Sequence, residues 1–329
     1  MKNLYKIIIR ATVISQNFAQ GQSLNYETLS SLEEPLAFEV GDVTFVTSGL
    51  IDLPLTSDLE GFSDSRFSPL AQLDLQLQTQ LSNRWNVNLS YFAQYEYNED
   101  DLYTDNIALF VGGTWGTFSV GNLDGYVRDQ TRRARGAGNS DISFDDNLGG
   151  LEEWGAGYSG RFGPMIFTGV VDDDSNFDVV ATFQRPIDDT DYRFSLRYNN
   201  AEYLSADEST LFDTQGVSLI GELVYGSNTL NIGVGYENLD SQNYSVDRWY
   251  VSAGATRKKG VLTWSLDGLY GEIDGQSAAA ASLGASYDIA RGTSLNLGVN
   301  YSEADISVDN INLVFEDGVS GQISLRYSF

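Results

Sequence analysis

AQLDLQLQTQL, residues 71–81, places Leu73, Leu75, Leu77 and Leu81 on one parity and Gln72, Asp74, Gln76, Gln78 and Gln80 on the other. Alternate residues of a strand project to opposite faces, so this segment has one apolar face and one hydrogen-bonding face. The next segment, RWNVNLSYFAQYEY (84–97), repeats the split. Trp85, Val87, Leu89, Tyr91, Ala93 and Tyr95 oppose Asn86, Asn88, Ser90, Gln94 and Glu96. The same division returns at 192–198, 230–236 and 295–301. It also closes the chain at GQISLRYSF (321–329), where Ile323, Leu325, Tyr327 and Phe329 oppose Ser324, Arg326 and Ser328. From about residue 37 onward no stretch of three turns carries a helical period.

Alternation alone fits a soluble sandwich as well as a membrane barrel; the content of the two phases separates them. The apolar phase repeatedly ends in tyrosine, at Tyr95, Tyr198, Tyr225, Tyr236, Tyr270, Tyr287, Tyr301 and Tyr327. That is where an interfacial aromatic girdle belongs. The other phase is Gln, Asn, Ser, Asp, Glu and Arg, too polar for the dry interior of a sandwich and suited to a wet one. Seven short turns, near 82–84, 113–117, 162–164, 186–190, 226–228, 257–260 and 289–293, alternate with eight more acidic loops. Those loops fall near 55–66, 98–105, 123–153, 172–176, 201–214, 238–245, 272–277 and 302–319. The count predicts an all-β protein, a transmembrane antiparallel up-and-down β-barrel of sixteen strands, with residues 37–329 as its single domain.

Composition excludes several classes of function. The 329 residues carry 46 Asp and Glu against 19 Lys and Arg, a formal charge of −27, and no basic stripe exists to neutralise the phosphates of a nucleic acid. With no cysteine there is no disulfide scaffold and no thiolate metal site. With no histidine the usual general base and the commonest metal ligand are missing. Adjacent acids such as Asp145 and Asp146 sit in an acidic loop, where solvation is the ordinary reading rather than catalysis. We therefore expect neither an enzyme nor a cofactor. Residues 1–36 read as a weak signal-peptide-like or disordered segment. Lys2 and Lys6 form a basic region and Ala19 lies near a small-residue cleavage pattern, but Arg10, Gln16 and Asn17 interrupt the apolar run.

The segment 123–153, LDGYVRDQTRRARGAGNSDISFDDNLGGLEE, is far longer than a median connection, and such loops are usually functional or disordered. It carries Arg128, Arg132, Arg133 and Arg135, followed by Asp141, Asp145, Asp146, Glu152 and Glu153. Folded into the barrel, the two blocks would set a field across a constriction; left outside, they would only keep the loop soluble. On the polar phase, Asp74, Glu96, Arg193, Arg197 and Arg326 are candidate wall residues of the interior. The arginines among them either set selectivity or simply pair with neighbouring acids.

The strand–turn–strand ALFVGGTWGTFSVGN (108–122), the long loop after it and the C-terminal aromatic strand together resemble the sixteen-stranded general porins of Gram-negative outer membranes, the alphaproteobacterial type in particular. The resemblance covers 37–329 in architecture through few and degenerate motifs. It implies a homotrimer in the outer membrane, in contact with lipid and lipopolysaccharide, with periplasmic termini. It also implies a third loop folded inward as an eyelet, and passive diffusion of small hydrophilic solutes. By similarity the eyelet residues are Arg132, Arg133, Arg135, Asp141, Asp145 and Asp146, and Phe329 resembles the signal read by the barrel-assembly machinery. The chain departs from the family in placing four arginines in the loop rather than on the facing wall. Family members also hold divalent cations on acidic surfaces, for which DDD at 172–174 is a candidate without a defined site. A substrate-specific channel is the nearest alternative function, and a structural or adhesive barrel blocked by its own loops is another.

Overall fold

The computed structural model describes residues 35–59, 65–97, 102–123, 126–131, 133, 136, 145–151, 154–204, 210–241, 245–304 and 318–329. The leader-like segment before residue 35 lies outside them. The strand segments of the first half are β1 (Leu36–Val40), β2 (Val43–Asp58), β3 (Ser65–Phe67), β4 (Leu70–Gln80), β5 (Asn86–Glu96), β6 (Leu102–Gly113), β7 (Gly116–Gly121), β8 (Gly155–Phe162) and β9 (Met165–Asp172). The second half supplies β10 (Phe177–Ile187), β11 (Thr190–Leu204), β12 (Leu211–Tyr225), β13 (Asn228–Asp240), β14 (Ser245–Lys259), β15 (Leu262–Ile273), β16 (Gln276–Ala290), β17 (Thr293–Ala304) and β18 (Gly318–Ser328).

Apart from β3 and β4, which both pair with β2, each strand pairs antiparallel with the next, and β18 returns to β2, with Ser320 opposite Asp58 and Ser328 opposite Leu50. The sheet is thereby closed without an edge, which is how a β-structure satisfies its backbone in a bilayer. Eighteen segments make sixteen staves. β3 and β4 follow one another along the same side of β2 and are one stave interrupted at Ser68 and Pro69. β1 is a short hairpin partner of β2: Leu36 faces Thr47 on the side of β2 that β18 leaves vacant.

The two sequence phases become the two faces of this wall. Leu75 is 40% exposed while its neighbour Asp74 is fully buried, and the contrast repeats around the ring. All seven predicted turns fall between consecutive strands. At the opposite end the strands run further than alternation suggests. The expected loop at 272–277 is a two-residue turn between β15 and β16, and β6 begins at Leu102, within the expected loop 98–105. Past the hydrocarbon band a strand continues with polar residues on both faces, so its hydrophobic period fades before its hydrogen bonding does.

The interior is less uniformly polar than the sequence reading implied. Phe212, Leu239, Val246, Tyr250, Leu269, Ile273, Ala278 and Ala280 form one buried apolar cluster on β12–β16, with Leu148 of the long loop and Tyr203 packed against it. Phe92, Phe110, Val170 and Val180 form part of a second cluster, joined by Leu123, Tyr126 and Val127 at the start of the same loop.

Candidate constriction inside the barrel

The long loop leaves β7 at Gly121 and re-enters at Gly155. Leu123, Tyr126 and Val127 turn inward onto the β5–β6–β9–β10 wall, with the Tyr126 and Phe110 rings 5.7 Å apart. Burial pushes the Tyr126 phenol up to about 12, so it stays protonated in this packing. One helical turn follows, Arg128–Thr131, closed by the Thr131 hydroxyl donating to the Arg128 carbonyl at 2.9 Å. Arg128 then reaches the other limb of the loop. It donates to the Gly149 carbonyl at 3.2 Å and lies 3.7 Å from the Asp146 carboxylate.

Of the two described arginines of the loop, Arg133 is the more enclosed, its side chain 1% exposed against 26% for Arg128. Its Nε donates to Asp145 at 3.1 Å, and a terminal nitrogen meets Asn231 at 2.8 Å and the carboxylate of Asp267. Asn231 belongs to β13 and Asp267 to β15, so the side chain reaches the wall beneath the loop. Gly254 on β14, between those strands, leaves the room: a Cβ there would collide with the Asp267 carboxylate and lie 2.5 Å from the Arg133 guanidinium. Gly254→Val is therefore expected to destabilise the folded barrel by about 1–3 kcal/mol, the usual cost of overpacking, measured by chemical unfolding in micelles.

The other limb is held by β10–β14. Arg197 grips Asp178 with contacts of 2.7–3.0 Å and donates to the Asp146 carboxylate at 2.9 Å. Asn147 donates to Asn199 at 2.6 Å, and the Gly150 amide donates to the Glu202 carbonyl at 3.0 Å. Glu237 and Arg248, a directly opposed pair on β13 and β14, contact residues 146–149 through the backbone.

Of the residues singled out from sequence, Arg128, Arg133, Asp145 and Asp146 come together here, and Arg197 joins them from the wall. Arg132, Arg135 and Asp141 lie outside the described residues. The expected separation of basic and acidic blocks is not what the described members show: Arg133 and Asp145 touch each other, and Asp146 sits among Arg128, Arg197 and Arg248. The remaining wall candidates stand apart. Arg193 faces Glu222 at 3.7 Å and Arg326 grips Asp52 at 2.6 Å, each pair directly opposed across neighbouring strands. Asp74 is buried opposite Phe92, and Glu96 is half-buried at the end of β5. In the DDD stretch, Asp172 is engaged by its own turn, accepting from the Asn176 amide at 2.8 Å and side chain at 3.0 Å. Among the described residues no group of three acids is arranged to hold a metal ion. Sequence reading missed Asp178, Glu237, Arg248, Gly254 and Asp267; their only signal was an inward parity.

No family model and no curated protein matches the chain. Solved structures do. OmpT of Vibrio cholerae, an outer-membrane protein in its trimer form, superposes with a TM-score of 0.69 at 12% identity, over 87% of this chain and 99% of that one. An anion-selective porin from Comamonas acidovorans gives 0.64 at 13%, over 88% and 100%. A mutant of the Rh. blastica porin gives 0.60 at 14%, over 87% and 100%. At these identities the likeness establishes a shared fold, the closed sixteen-stranded barrel of the porins.

Proposed function

We propose that the chain is a general porin of a Gram-negative outer membrane, a homotrimer whose barrels pass small hydrophilic solutes and ions by passive diffusion with a preference for cations. The observation that carries this reading is a closed barrel, apolar outside and polar within, on whose inner wall the described part of the loop between β7 and β8 packs. Arg128, Arg132, Arg133, Arg135, Asp141, Asp145 and Asp146 belong to the constriction, and Asp74, Glu96, Arg193, Arg197 and Arg326 line the wall. Phe329 is the assembly signal, and both termini lie on the periplasmic side. Lipid and lipopolysaccharide surround the barrel, and divalent cations bridge them to its acidic rim.

The cation preference rests on charge. The chain carries −27 overall, and at the described part of the constriction four arginines, Arg128, Arg133, Arg197 and Arg248, meet five carboxylates, Asp145, Asp146, Asp178, Glu237 and Asp267. Paired in this way, the carboxylates serve to hold a loop. A substrate-specific channel would need aromatic rings along the path of a sugar; the inward Phe92, Phe110, Phe212 and Tyr250 are instead buried in packed clusters. In planar bilayers under a potassium chloride gradient, the reversal potential is expected to take the sign of cation selectivity at neutral pH. Absence of channels would overturn the function, and anion selectivity would overturn its charge argument.

A further inference from the structure

We infer that the cross-strand pair Glu237–Arg248 is a clamp on the loop backbone that fixes where the constriction sits within the barrel; the inference rests on the reading of the chain as a channel. The two residues are register partners on β13 and β14, their side chains are fully buried, and a guanidinium nitrogen lies 3.0 Å from the carboxylate. Each also reaches the loop. Glu237 accepts the Leu148 amide at 2.9 Å on one oxygen and the Gly149 amide at 3.1 Å on the other. Arg248 donates to the Asp146 carbonyl at 2.7 Å from the same nitrogen that meets Glu237.

Residues 146–149 have no helix or strand partners of their own, yet they lie against a buried wall. Their amides and carbonyls must find partners there or leave costly unsatisfied groups. One ion pair supplies two acceptors and a donor, all charge-assisted. Because it binds peptide groups, it specifies the path of the chain whatever side chains the loop carries. Arg197 acts differently, holding the Asp146 side chain. The Arg248 guanidinium is itself held 5.3 Å from the centre of the Tyr250 ring, and Leu148 is seated on the apolar cluster that contains Tyr250. The clamp therefore has a rigid base, and Glu237 and Arg248 are positioning residues for the constriction.

Glu237→Gln keeps the shape of the side chain but turns an NH2 group toward one of the two loop amides and leaves Arg248 without its counter-charge. The chain has no cysteine, so Asn147→Cys, at a loop position buried against the wall, reports loop lifting by its reaction with a water-soluble maleimide. With Glu237→Gln added, labelling is expected to speed up roughly tenfold or more, the effect of losing one charge-assisted hydrogen bond. The single-channel current is expected to shift by about twofold with added flicker, while the barrel keeps its strand content. A merely structural role would lower stability and leave both readouts of the folded channels unchanged, and that result overturns the clamp. If the parent protein forms no channels, the proposed function fails and labelling alone decides: an unchanged rate overturns the clamp, a faster one supports it. If the Gln variant does not fold, Glu237→Asp, which keeps the charge and withdraws the carboxylate by one methylene, is judged by the same two measurements.

Discussion

Replacing Arg197 with methionine is expected to cost about 3–5 kcal/mol of barrel stability, the cost of breaking a buried ion pair from one side. Arg197 is 1% exposed and holds two acids at once, Asp178 from the wall and Asp146 from the loop. Without it, Asp178 keeps its burial and loses its bidentate partner, while Asp146 loses the contact that ties its side chain to β11. A surface ion pair would be worth no more than about 1 kcal/mol, because water and salt screen it; burial is what makes this one costly to break. The companion variant, Arg197→Met with Asp178→Leu, removes both buried charges of the wall pair. Well-packed apolar replacements of such pairs are often neutral, so the double variant should recover most of the loss. Guanidinium unfolding in detergent micelles measures both. A single variant within about 1 kcal/mol of the parent would show that the network is screened as at a surface.

The barrel was legible because a lipid-facing wall forces a strict period of two. Leu73, Leu75 and Leu77 against Gln72, Asp74 and Gln76 admit one assignment of faces, and the barrel keeps it. Turns were legible for a related reason, since each must break the period within a few residues. The rims were not, because outside the hydrocarbon nothing compels alternation: Glu272 and Ser277, opposed across β15 and β16, continue the outward phase of those strands with polar side chains. The constriction was legible only in part. Arg128, Arg133, Asp145 and Asp146 announced themselves as charges in a long loop. Their wall partners could not be found the same way, because which inward residue a loop meets depends on barrel stagger and on strand register, neither of which is written in one strand. Arg248 and Glu237 meet through pairing of β13 with β14, and Asp267 reaches Arg133 from β15 across a strand that carries glycine at that height. One clue was available in hindsight. Leu123, Tyr126 and Val127 are apolar residues at the start of an acidic loop, and a loop bathed in solvent has no use for them.

Removing Phe329 is expected to reduce the assembled barrel in the outer membrane several-fold, through two separable effects. The first is local. Phe329 is the last rung of the closing seam, its amide donating to the Gly49 carbonyl at 3.0 Å and its carbonyl accepting from the Gly49 amide at 2.9 Å. Its ring lies over Gly49, where a Cβ would come within 2.6 Å, and packs 5.9 Å from the Tyr327 ring. Below that rung β18 has ended and β1 takes over the side of β2 at Thr47, so losing Phe329 opens a gap between two successive partners of one strand. Two backbone bonds at about 1 kcal/mol each, with about 1 kcal/mol for a half-buried aromatic side chain, would weaken closure without preventing it. The second is the proposed recognition of the terminal aromatic by the assembly machinery, which the folded barrel does not need. Phe329→Leu separates the two, since it keeps both backbone bonds and an apolar side chain and removes only the ring. Refolded into micelles, this variant should match the parent in yield and in the temperature at which its gel mobility changes. In cells it should accumulate unassembled. Equal assembly of Phe329→Leu and the parent in cells would restrict Phe329 to the seam, and poor refolding in micelles would show that the ring itself is what closes it.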